Sequence, residues 1–355
     1  MGGDHDPTDR DMPRVPRGRR LRPAASLTRA EAVLAKLEPA MRQSTLGLDE
    51  APEQGLSADR EGSSSGDRLP GVEVDRREQP TAALLGLAGL LARYHRHRVL
   101  HIDRLLGLLR ARRRVVVVGN HALDVVDPLL FVATVIERYG RMPRFMSHTS
   151  WQQLPVLRAI ADRYRLVPAR SMEDASRALA EDGFLMLFPG GVSEAALRSY
   201  RDEPYRIKWE NRLGFLRLAL EHDAEIVFVA AVGNDEMYFQ SRLPTPDAIV
   251  RLADAGDGKR YRGSYLRFGL LGPHVLPGVL PLPVQLTHVV SPPLVLGDRA
   301  LARRDPEALA ALHRSVCEAC QTFLDQAVAE REHYSDTIDR TIRIGQHLLQ
   351  RIGIV

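Results

Sequence analysis

The sequence predicts an α/β fold, a mostly parallel central sheet flanked by helices. Three observations carry this. Uninterrupted apolar runs at Val115–Val118, Phe184–Phe188 and Ile226–Val232 read as strands buried on both faces. Each run ends in turn chemistry: Gly119-Asn120-His121, Pro189-Gly190-Gly191 and Gly233 followed by Asn234-Asp235-Glu236. Segments with helical apolar spacing lie between them, and strands alternating with helices at this interval imply βα layering around a parallel core.

In chain order, residues 1–79 are rich in Pro, Gly, Ser, Arg and Asp. Apart from Leu27–Gln43, which has helical spacing interrupted by Pro39, they cannot bury enough apolar surface to offset chain ordering, so a largely disordered extension is expected. Gly62–Gly66 matches GxSxG in form, but it lacks the strand and helix that such a nucleophile turn needs. Globular texture runs from 80 to 335. It opens on an apolar helix, Thr81–Ala92, and continues through Val99–Leu109 to the Val115 strand. The helix Leu129–Tyr139, a short strand Arg144–Ser147, the helix Pro155–Tyr164 and an extended Leu166–Pro168 come next. Met172–Glu181 is helical and closes on Gly183 as a C-terminal cap. After the Phe184 strand come a helix over Asn211–His222 and the Ile226 strand.

Gly272–Pro293 is apolar and proline-rich, which argues against a regular helix or a central strand. It suits an acyl groove or a well-packed crossover. Asp305–Glu332 is a long amphipathic helix, and 336–355 forms a helical tail. Cys317 and Cys320 make a CxxC inside that long helix, without a second pair or a histidine at ligand spacing, so two small apolar residues on one face is the better account. His95, His97 and His101 are expected on a solvated basic face, and no metal site is expected.

Composition narrows the function classes. The net charge of +4 and pI near 9.2 are too small an excess to argue for nucleic acid, but they suit an anionic membrane surface. Two cysteines in 355 residues give no disulfide framework and fit a reducing, cytoplasmic setting. The opening MGGDHDPTDRD lacks the apolar core of a secretory leader. No window reaches the roughly 18 apolar residues of a membrane span. Thr81–Ala92, followed at once by Arg93, His95, Arg96, His97 and Arg98, is either an ordinary packing helix or one lying in a bilayer interface at the inner face of the membrane. No Walker loop or GxGxxG follows a strand.

His121 and Asp127 are the candidate chemistry. The turn after Val115–Val118 sets an imidazole at the carboxyl end of a core strand, where open α/β sheets carry their sites. A carboxylate follows six positions later. Such a pair performs general-base work: the carboxylate orients the ring and stabilises the imidazolium that forms. Asp127-Pro128 also reads as an N-cap with proline at N1, and Asp124 is a rival carboxylate. Phe188-Pro189-Gly190-Gly191 through Glu194 is the second element. Its glycines let backbone amides approach a ligand at a helix start, which favours an oxyanion or a phosphate.

With these stretches in place, the chain resembles the glycerolipid acyltransferases of the PlsC type over about Leu100–Arg331. His121 in GNH takes the family's histidine position. Asp127 takes its aspartate position, one residue later than the commonest NHxxxxD spacing. FPGG at 188–191 with Glu194 resembles the FPEG block in a PGG variant. Val167–Arg170 followed by Ala175, Arg212–Phe215 and Ile226–Gly233 resemble further family elements, with Phe228 at a usual proline. The resemblance implies a glycerol-3-phosphate acyltransferase-like fold and acyl transfer from acyl-CoA or acyl carrier protein to a lipid hydroxyl. In that reaction His121 is base and Asp127 its orienting partner, while Asn120, Arg170, Pro189, Gly190, Gly191 and Glu194 face substrate, and no cofactor takes part. Relatives acting on phosphorylated acceptors carry an arginine near Ser193, which is absent here. That departure points to neutral acceptors such as diacylglycerol or a long-chain alcohol. A non-catalytic lipid-binding protein on the same fold, or a lipid hydrolase, are the alternatives.

Overall fold

A computed structural model describes residues 81–122, 125–148, 155–169, 171–195, 203–244, 265–273 and 280–351. All belong to one compact unit, Gln54–Val355. The expected disorder of 1–79, the Leu27–Gln43 helix, Gly62–Gly66, Asp124 and Arg170 lie outside the described residues.

Among the described residues, the element order begins α1 (Ala82–Tyr94), β1 (Arg98–Leu100), α2 (Ile102–Arg110), β2 (Val115–Gly119), α3 (Val126–Tyr139), β3 (Arg144–Ser147), α4 (Pro155–Arg163) and β4 (Val167–Pro168). It continues through α5 (Met172–Asp182), β5 (Phe184–Leu187), α6 (Gly191–Ala195), α7 (Gly214–Glu221), β6 (Glu225–Val232), β7 (Phe239–Pro244), β8 (Tyr265–Gly269) and β9 (Gly272–Pro273). The last elements are β10 (Thr287–Pro293), α8 (Arg299–Arg304), α9 (Pro306–Ala329), α10 (Arg331–Tyr334) and α11 (Thr337–Arg351). One mixed sheet runs β1-β10-β6-β2-β5-β3-β4, and β7-β8-β9 form a small antiparallel sheet. From β6 to β4 all neighbours are parallel, whereas β10 runs antiparallel to β6. This is the predicted fold class.

The valine run shows why the sheet is covered on both sides. Val116 and Val118 pack among α5, α7 and α9, while Val115 and Val117 pack among α2 and α3. A period of two in a strand sends alternate side chains to opposite layers, and all of them are apolar because neither layer is solvent. Gly183 ends α5 with φ +68°, as the C-cap reading requires.

Two expectations are corrected. Thr287–Pro293 is a strand lying between β1 and β6, despite its prolines. Pro292 and Pro293 come at its far end, where the pairing register with β6 shifts, so the missing N–H groups fall past the continuous ladder. Asp127 does not cap α3. The helix starts at Val126, its N-cap Val125 makes no side-chain cap bond, and Asp127 sits inside the first turn facing the core.

The tail is part of the same body. Arg331, 3% exposed, donates from Nη1 to Glu236 (2.8 Å) and from Nη2 to Asp339 (2.9 Å). Its Nη1 also reaches the Tyr205 hydroxyl, which donates to Glu236 and accepts the Gly233 amide at 2.8 Å. Asp339 in addition accepts the Gln285 amide at 3.0 Å. Burial pushes the Glu236 carboxyl up, against the pull of Arg331. Burial would raise Asp339 too, but Arg331 and the Gln285 amide outweigh it and hold that carboxyl low. Arg331→Met takes the cationic partner from Glu236, while Asp339 keeps Arg343, the Ser335 hydroxyl and the Gln285 backbone N–H, and should cost about 3–5 kcal/mol in urea denaturation at neutral pH. In that variant the Glu236 carboxyl, which burial already raises, rises further above its unfolded value. Stability is therefore lost as pH rises through it, and the deficit should be smaller at pH 5 than at pH 8.

Candidate active site

The parallel strands β2, β5 and β6 end at one edge, and the antiparallel β10 begins there. β2 ends on Gly119, where a Cβ would come within 2.9 Å of the Phe188 ring and 3.2 Å of the Val229 carbonyl. The glycine lets Phe188 lie across the strand end. The half-buried His121 ring stacks on Phe188, with centroids 4.4 Å apart and planes at 14°. The histidine block and the FPGG block are thus brought into direct contact. The FPGG turn closes by the Gly191 amide donating to the Phe188 carbonyl (3.1 Å). Gly191 has φ +51°, and a Cβ there would meet no atom of the described residues within 4 Å.

Asp127 is 1% exposed. Its Oδ1 accepts from His288 Nε2 at 2.6 Å, and its Oδ2 accepts from Asn234 Nδ2 at 3.1 Å. His288 Nδ1 in turn faces His97 Nε2 at 2.8 Å. His121 and Asp127 flank one stretch of edge. Asn120, next to His121, bonds Ala231 of β6, and Ala231 is in register with His288.

Residues 104–232 match the family model described as Acyltransferase, a stretch from α2 to the end of β6 that contains His121, Asp127 and the FPGG turn. This stretch is a PlsC-type acyltransferase domain. Over 182 residues the chain is 25% identical to Phytyl ester synthase 2, chloroplastic, of Arabidopsis thaliana, covering 48% of this chain. The chain spans 25% of that protein's length.

Two side chains expected at substrate are engaged within the acyltransferase domain instead. Asn120 uses both ends of its amide on Ala231: Nδ2 donates to the carbonyl at 2.9 Å, and Oδ1 accepts the amide at 2.8 Å. It extends the β2–β6 ladder past the point where β2 turns away, and so fixes the base of the His121 loop. Glu194 is fully buried, and its Oε2 accepts from Trp209 Nε1 at 3.0 Å. A Cβ on Gly190 would lie 1.8 Å from that same oxygen. Glycine at 190 is therefore the space into which the Glu194 carboxylate folds, and Glu194 shapes the turn from the core side. α6 is held at its other end by Arg267, whose Nη1 donates to the Ala195 carbonyl at 3.0 Å. Pro189 is buried in the turn.

Sequence reasoning misses His288, His97 and Asn234. His95 and His97 are buried, not on a solvated face. Arg96 adopts φ +45°, and the turn sends His95 Nδ1 to the Val284 carbonyl (3.0 Å) and the His97 ring to His288. The one signal for Asn234 is a polar triplet straight after a buried strand. The CxxC behaves as expected of buried thiols: burial lifts Cys317 to about 11 and pushes Cys320 well above its ordinary range, so both stay protonated and unreactive.

The turn is testable by stability alone. Gly190→Ala forces the Glu194 carboxylate out of its slot, and Trp209→Phe removes that carboxylate's donor. Each should lower the unfolding free energy by about 1–3 kcal/mol in urea denaturation.

Proposed function

We propose that this chain transfers a fatty acyl group from an acyl thioester, acyl-CoA or acyl carrier protein, to the hydroxyl of a neutral lipid acceptor. The observation that carries the reading is His121 stacked on Phe188 at the carboxyl edge of the sheet, with the buried Asp127 on the same edge, inside an acyltransferase domain. Asp127 accepts one bond on each oxygen from His288 and Asn234, and a carboxylate oxygen has two lone pairs, so acceptor capacity remains for an N–H of His121. His121 takes the proton from the acceptor hydroxyl, and the hydroxyl oxygen attacks the thioester carbonyl. The C–S bond breaks, and the leaving thiolate takes the proton from His121. The products are an ester and a free thiol. The donor carbonyl is received by the FPGG turn, whose Phe188 lies against the ring.

A neutral acceptor is favoured by the lack of arginine near Ser193. The name of the Arabidopsis relative, which makes a phytyl ester, points the same way, to a long-chain alcohol. The site works at a membrane surface, because its acceptor is apolar. No described helix is long and apolar enough to cross a membrane. α1 instead presents Leu85, Leu87 and Leu90 outward, Leu90 being 65% exposed, while Ala88 joins Val126 and Leu130 of α3 in a buried cluster. Arg93 lies in its last turn and Arg98 follows it, which suits peripheral binding to an anionic inner membrane face.

Two experiments test this. Purified protein with labelled acyl-CoA should form product with diacylglycerol or a fatty alcohol and none with lysophosphatidate. His121→Ala should remove at least about 10²-fold of the turnover. Product on lysophosphatidate would overturn the neutral-acceptor reading, and absence of product with every acceptor would favour a lipid-binding protein. Separately, the double variant Leu87→Asp/Leu90→Asp should lose sedimentation with phosphatidylglycerol vesicles while keeping turnover of a detergent-solubilised acceptor. Unchanged sedimentation would remove α1 as the anchor.

A further inference from the structure

We infer that His288 is a positioning residue for the acyl-transfer site, and that His97 holds it in the ring orientation that makes this possible. The inference rests on the acyl-transfer reading above. It starts from the placement of three buried groups in line: His97 Nε2 to His288 Nδ1 at 2.8 Å, and His288 Nε2 to Asp127 Oδ1 at 2.6 Å. The two rings stand edge-on, with centroids 5.0 Å apart and planes at 77°. In that arrangement a lone pair of one ring meets an N–H of the other. Phe131 closes the remaining side of His288, with centroids 5.2 Å apart.

The proton placement follows from what each atom faces. The nitrogen of His288 against the carboxylate must carry hydrogen, since a carboxylate oxygen only accepts. His97 is held neutral well below the ordinary histidine range, by burial first and then by His288 and His95. Its Nε2–H donates to His288 Nδ1. Both imidazoles then donate in the same direction, toward Asp127, and donors in series polarise one another. The carboxylate is thereby aimed and kept from water. Asn234 fixes the other oxygen. Asn234 is itself set by Gly233, where φ is +99° and a Cβ would lie 2.1 Å from the Gln285 carbonyl.

His288 contacts Asp127, and His97 reaches Asp127 only through His288, so the pair acts on the reaction through Asp127. It also lies outside the matched domain, at positions 97 and 288 against 104–232. The site is incomplete without β10 and the α1–β1 turn.

The experiment compares full-length variants with the acceptor that the wild type uses. His288→Leu, which fills the space without a donor, should lower kcat about 10- to 100-fold with KM for both substrates within about threefold, the size of one charge-assisted hydrogen bond. His288→Gln replaces the Nε2–H with an amide N–H, and should recover kcat to within about threefold of wild type. His97→Phe should lower kcat severalfold in the wild type and have no further effect in the His288→Leu background. Thermal melting of each variant separates loss of fold from loss of alignment, because a packing role would move the melting temperature without rescue by Gln. Full kcat in His288→Leu, a loss confined to KM, or a folded His288→Gln as slow as His288→Leu would each overturn the inference while leaving acyl transfer intact. No product from the wild type with any acceptor would overturn acyl transfer, and this inference with it.

Discussion

The structure depends on one buried carboxylate. Asp127 is taken out of water inside the first turn of α3, and an ionised group there is tolerated only when its oxygens are bonded. Its partners come from distant parts of the chain: His288 opens β10, and Asn234 follows β6. His97, behind His288, precedes β1. The order β1-β10-β6-β2 in the sheet is what brings these together at one edge. Much of the rest can be understood as support for that arrangement. Tyr205 and Arg331 anchor the Gly233–Glu236 turn that presents Asn234, and the last helix closes over Arg331 through Asp339.

The second constraint is the contact between the two sequence blocks. His121 cannot lie against Phe188 unless residue 119 lacks a side chain, and the turn after Phe188 cannot close over the core unless residue 190 does. These two glycines therefore have different reasons from Gly191, where the positive φ itself favours glycine. Glu194 belongs to this constraint. Its carboxylate is directed inward to Trp209 and makes the turn rigid, where the sequence suggests a ligand contact.

Much of the fold was legible in the chain, because burial on both faces leaves an unmistakable pattern. Val115–Val118, Phe184–Leu187 and Ile226–Val232 lie in adjacent parallel strands, and the cap at Gly183 falls where expected. The meeting of His121 with the FPGG turn was legible too, since both follow such strands. What was hidden is what only tertiary structure decides. His288 and Asp127 are 161 positions apart, and His97 and His288 are 191 apart. No periodicity links them. His97 lies among arginines that mimic a solvated face, and His288 lies in a proline-rich run that argues against a strand. The prolines mislead because those within β10 come only at its end, beyond the continuous register. Asn120, which the family resemblance places at substrate, uses its amide on Ala231 and completes the sheet, a pairing across 111 positions that no local pattern announces.

The central claim is that the charge on Asp127 serves the proton transfer at His121. The most direct measurement is kcat for Asp127→Asn, with the fold checked by thermal melting. The variant keeps the shape of the side chain and removes its charge. The account predicts a fall of about 10²- to 10⁴-fold in kcat with substrate binding retained. A folded Asp127→Asn protein turning over at the wild-type rate would contradict it.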